Sequence, residues 1–136
     1  MTTAKSLEER ISDTLKEDPG GPTPYDEAVT TLEKAAGGLQ QFLSPGSDAV
    51  QVRLEPSSRV NLGDQYRMVI RIPSQGFNDV LFRAYVPEDG FPVTLDLFDD
   101  EAPTCPDVAA LEQEIVKFVD HKDVKRRLSA LKKLAA

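Results

Sequence analysis

Between residues 49 and 98 the apolar side chains fall on every second position, a spacing that an extended strand satisfies and a helix does not. Val50, Val52 and Leu54 alternate with Gln51, Arg53 and Glu55, and Tyr66, Met68, Ile70 and Ile72 alternate with Arg67, Val69 and Arg71. Val80, Phe82, Ala84 and Val86 form a third run, and Val93, Leu95 and Leu97 a fourth. Ser57-Ser58 and Asn61 to Asp64 supply turn chemistry between the first two runs, and Pro87-Glu88-Asp89-Gly90 between the last two. None of these connections has room for a crossover helix, so the spacing predicts a four-stranded antiparallel meander.

Helical periodicity brackets this stretch on both sides. Leu7, Ile11 and Leu15 recur at steps of four behind Ser6, which can cap, and Glu9, which can reach back. Pro19-Gly20-Gly21-Pro22 ends that helix. A second helix is expected from 24 to 43, capped by Thr23 and started by Pro24, with Val29, Leu32, Ala36 and Leu39 on its inner stripe. Gly37-Gly38 in its interior costs about 1 kcal/mol per glycine relative to alanine, so either another element packs close there or the helix ends early. After an acidic loop, Val108, Leu111, Ile115 and Phe118 mark a third helix. Val124, Leu128 and Leu131 then resume two positions out of phase, about 200° around a helix. A break near Asp120 to Asp123 is expected, with either aspartate capping a separate C-terminal helix. The fold class is therefore α+β: an antiparallel sheet packed by N-terminal and C-terminal helices.

With 136 residues, 40% of them apolar, the chain can fill one core, and it is read as a single domain spanning 1–136. Residues 1–48 are the helical N-terminal segment, 49–98 the sheet, and 99–136 the acidic loop and C-terminal helices. No apolar run approaches a membrane span and the start is charged, so a cytoplasmic location is expected. One cysteine and one histidine exclude an internal disulfide and a Cys/His zinc site. No cofactor motif is present. The net charge is −7, and residues 1–48 hold nine acids against four bases, which makes nucleic acid an unfavourable partner.

Alternation also defines the sheet's second face. With the regular apolar residues turned to the core, Gln51, Arg53, Arg67, Val69, Arg71, Leu81, Arg83, Tyr85, Thr94, Asp96 and Phe98 point the other way. All five bases between 49 and 98 are arginine, whose planar fork pairs with carboxylates and stacks on rings. Arg53, Arg67, Arg71, Arg83, Tyr85 and Phe98 are therefore the candidate partner-binding residues, facing an acidic protein surface or peptide. The competing reading covers this face from within, with the acidic N-terminal helices paired to the arginines.

Other chemistry is sparse. Cys105 precedes the third helix, where amides and the helix dipole favour a thiolate. Asp99, Asp100, Glu101 and Asp107 oppose it, and His121 lies about 24 Å away along a continuous helix. An incidental cysteine is the competing reading to a thiol-dependent enzyme. The run Asp96, Asp99, Asp100 and Glu101 lacks the spacing of a calcium loop, so no metal site is assigned. The basic segment Val124 to Ala136 reads either as one more helix on the core or as a seam for a homodimer.

The order of helix, four-stranded meander, cysteine-bearing loop and helix resembles the layout of ubiquitin-conjugating and RWD-type domains, and Phe91-Pro92 is similar to their aromatic-proline step. The second proline and the His-Pro-Asn signature of conjugating enzymes are absent, which leaves the resemblance one of topology. Small acidic secretion chaperones resemble the chain in size and charge, but they interleave a helix between strands. The expected function is a non-catalytic adaptor or chaperone-like interaction module, with a conjugating-like activity at Cys105 as the alternative.

Overall fold

The computed structural model describes residues 6–16, 22–97 and 102–136. Local chemistry sets the helix starts. Ser6 Oγ accepts from the Glu9 amide at the head of α1 (Leu7–Lys16). Thr23 and Asp26 form a reciprocal capping box at the head of α2 (Pro24–Leu43). The sheet follows as β1 (Gln51–Val60), β2 (Gly63–Ile72), β3 (Phe77–Pro87), β4 (Val93–Asp96) and β5 (Thr104–Cys105), with a short 3-10 turn at Pro73–Gln75 between β2 and β3. Asp107 caps α3 (Val108–Asp120), which leads into α4 (Lys122–Ala135).

The expected antiparallel order holds, but the sheet has five strands rather than four, in the order β1-β2-β3-β4-β5. Cys105 pairs with Val93 and Thr104 with Thr94. A two-residue strand inside a loop leaves too little alternation to be visible in the sequence. β1 and β2 also run further than their apolar patterns. Ser57 and Ser58, expected in a turn, lie within β1 beside a bulge, and the hairpin tightens to Asn61-Leu62 with Asn61 at φ 54°.

A second bulge changes the face assignment. The β2–β3 register shifts between Met68 and Val69, so Met68 pairs with Phe82 but Val69 pairs with Val80. The extra residue, Leu81, turns inward and is buried, while Val80 joins Val69 on the opposite face. The sequence reading had these two exchanged, because one inserted residue inverts a period of two.

Helices α2, α3 and α4 pack together and cover the inner sheet face, where Val50, Val52, Met68, Ile70, Ile72, Phe82, Ala84, Val93 and Leu95 are buried. Phe82 meets Phe118 of α3 edge to face, 5.3 Å between centroids. The break between α3 and α4 falls at His121, and both out-of-phase stripes are buried: Leu111, Ile115 and Phe118 before it, Val124, Leu128 and Leu131 after it. The cap is His121 itself, whose Nδ1 accepts from the Asp123 amide at 3.2 Å, and not one of the aspartates.

Gln40 of α2 seals the start of the sheet's first edge. Its Nε2 donates to the Val50 carbonyl at 2.5 Å, and its Oε1 accepts from the Val52 amide at 2.8 Å. At the other end of α2 the turn after β3 closes in. Gly90, at φ 94°, comes so near that an added Cβ would lie 2.4 Å from the Pro24 carbonyl carbon, which only glycine avoids.

Candidate functional site

Strand register arranges the outer sheet face in four rows, because residues directly opposite one another share a face. Gln51, Arg71 and Asn78 form the first, and Arg53, Val69 and Val80 the second. Glu55, Arg67, Arg83 and Asp96 form the third, and Ser58, Gln65, Tyr85, Thr94 and Thr104 the fourth. Arg53, Arg67, Arg71, Arg83 and Tyr85 are thus brought together on one face, as the alternation requires. Phe98 and the run Asp99, Asp100 and Glu101 lie outside the described residues.

Glu55 organises the centre of this face, and the sequence reading passed over it as one more alternating polar position. Both Glu55 carboxylate oxygens accept from Arg71, at 2.5 and 3.1 Å, and Arg67 approaches the same carboxylate at 3.8 Å. The Arg71 hydrogen bonds hold the Glu55 carboxyl below the usual glutamate range, against the opposing effect of its own desolvation. The signal was in the sequence: Glu55 continues the Gln51, Arg53 parity, and a carboxylate among four arginines is the group that relieves their repulsion.

The relief is partial. Arg67 Nε is buried without a hydrogen-bond partner. Arg53 is exposed and donates only to the Val52 carbonyl at 3.1 Å. Arg83 is exposed opposite Asp96 in register and makes no ion pair among the described residues. Between them Val69 is only 3% exposed although it stands apart from the core cluster. Its register neighbours on that face are Arg53 and Val80, with Arg67 and Arg71 on either side of it in β2.

Of the two readings of what faces the arginines, internal cover by the first helix is not seen. The described side chains of α1 through Leu15 are all exposed, and Glu8 and Glu9 make no ion pair with any of the four among the described residues.

Cys105 stands elsewhere, fully buried on β5 in the helix-covered core. Burial pushes its thiol up, and the Glu114 and Asp107 carboxylates push it further. The leading cause is therefore desolvation, not the acidic loop on which the sequence reading relied. Tyr25, at the head of α2, donates to Asp64 at 2.7 Å and lies 2.5 Å from the Tyr66 hydroxyl, and burial beside these groups pushes its hydroxyl far up. This cluster ties α2 to the β1–β2 hairpin. Among the described residues no group of three or more His, Cys, Asp and Glu side chains is placed to hold a metal, and no helix is long and apolar enough to cross a membrane. Comparison with family models, with curated proteins and with solved structures finds no match.

Proposed function

We propose that the chain is a non-catalytic interaction module whose arginine-bearing sheet face binds an acidic peptide or an acidic protein surface. The observation that carries this reading is the asymmetry of the sheet. The three packed helices cover one face, while the other keeps Arg53 and Arg83 exposed without a carboxylate partner among the described residues. The guanidinium is a planar fork that meets a carboxylate with two parallel hydrogen bonds, so two exposed arginines on one face suit an acidic partner. Tyr85, half-buried one row away, adds an amphipathic ring of the kind enriched at interfaces. The thiol-enzyme alternative is supported less well, since a fully buried, protonated Cys105 offers no nucleophile at the surface.

The test is binding of a fluorescently labelled, glutamate-rich peptide measured by anisotropy. Arg53→Glu with Arg83→Glu removes the two arginines that have no internal carboxylate, so the fold should survive while binding falls, and the wild-type complex should weaken as salt rises. Salt-insensitive binding that the double substitution leaves unchanged would move the site off this face.

A further inference from the structure

On the side of the molecule away from the sheet, α2, α3 and α4 leave an apolar groove of about 600 Å³. Leu39 and Phe42 come from α2, Ile115, Val116 and Val119 from α3, and Leu128 from α4. Phe42 and Val116 are 45% and 66% exposed, so the groove is open along its length. Gly38 forms part of its floor, and an added Cβ there meets nothing within 4 Å. The glycine pair inside α2 thus neither ends the helix nor admits another element of this fold. It leaves a shallow notch where a further helix can come close.

The same chain carries a helix that lacks a surface to lie on. Leu7, Ile11 and Leu15 of α1 are 69%, 50% and 79% exposed, a full apolar stripe in water. A ten-residue helix with nothing packed against it is marginal by itself, because isolated helices shorter than about 12 residues do not hold in water. At about 1.5 Å per residue the stripe from Leu7 to Leu15 is about 12 Å long, and the groove edge from Ala35 to Phe42 is about 10.5 Å. Charge agrees with length. α1 opens on Glu8 and Glu9. At the groove, Lys125 is held by Asp120 at 2.7 Å, both lining it, and Lys132 Nζ lies 4.6 Å from the centre of the Phe42 ring and supplies the positive charge there.

We propose that α1 of a second copy of this chain occupies the groove, in a two-fold pair in which each copy gives its α1 to the other. The stripe of α1 is uncovered by the described residues of its own chain and so is available to a second copy. A two-fold pair makes the same contact twice, so one association covers both stripes and both grooves. This surface lies on the opposite side from the arginine face and does not depend on it.

Sedimentation of the full chain from micromolar to millimolar concentration tests the pairing. Wild type should form dimers, and Ile11→Glu in the stripe or Val116→Glu in the groove should each raise the dissociation constant about tenfold or more. Both positions are at least half exposed, so an unchanged thermal midpoint shows that the variants are folded. An equimolar mixture of the two variants should associate more tightly than either alone, because one intact stripe then meets one intact groove. Wild type that stays monomeric overturns the proposal, whether amide exchange over residues 7–16 is slow, which places α1 in its own groove, or fast, which leaves the groove to another protein. A dimer indifferent to both substitutions overturns it as well.

Discussion

Two buried or half-buried titratable residues behave in opposite ways, and both make predictions. Glu55 is held below its ordinary pKa by Arg71, so its contribution to stability is present above the unfolded-state value and is lost as pH falls through the lowered folded-state value. We expect Glu55→Gln to be less stable than wild type at neutral pH and to show a flatter fall in stability on acidification, checked by urea denaturation across the acidic range. Cys105 is shifted the other way. Its preference for the neutral thiol is fully present below the unfolded thiol value and is lost as pH rises through the raised folded-state value. In the native protein it should resist thiol reagents at neutral pH and react only as the fold opens. An incidental cysteine at the surface would tolerate serine, but Cys105 is completely buried. A serine hydroxyl there, without a partner, should cost about 1 to 3 kcal/mol, read from the shift in denaturation midpoint.

At the scale of elements, what was legible in the sequence is what depends on period alone. The four helices stand where their stripes place them, including the break that the phase slip between Phe118 and Val124 demands, although the cap there is His121 and not an aspartate. The inner face was legible for β2, for β4 and for β1 up to its bulge beside Pro56, where alternation runs unbroken. It failed at β3, where Leu81 and Val80 exchange faces, because a bulge is a single inserted residue with no composition of its own. Of the candidate site, the arginines could be read from parity, whereas the bidentate hold of Glu55 on Arg71 depends on which strands are neighbours and in which register. The interior of α2 offers a direct check on the helical reading. Gly37 faces open space in an unbroken helix, so Gly37→Ala should raise stability by about 1 kcal/mol, seen as a higher melting temperature. Gly90→Ala should do the reverse, since its φ is positive and its Cβ would strike α2.

For the whole molecule, the one-sided layering decides which sheet residues are buried under helices and which are left on the arginine face. Ile70 is fully buried at the centre of the helix-covered face, so Ile70→Ala should cost about 2 to 5 kcal/mol through the cavity it leaves, checked by chemical denaturation. A midpoint unchanged by that substitution would contradict the layering. A sheet with one open face must also keep other chains from adding to its sides. The hydrogen bonds of Gln40 to Val50 and Val52 occupy the backbone groups at the start of β1, Pro56 and the neighbouring bulge disrupt the row further along, and on the far side β5 is only two residues long. Among the described residues these features shorten the ladder of unpaired amides and carbonyls at the start of β1 and beside β5, the template on which strand addition and amyloid growth begin, while β3 from Phe77 to Phe82 extends past its pairing with β4. Replacing Gln40 by leucine would bare the start of β1 without touching the arginines, so a half-buried glutamine on a helix is the residue that keeps this edge from serving as a template for another strand.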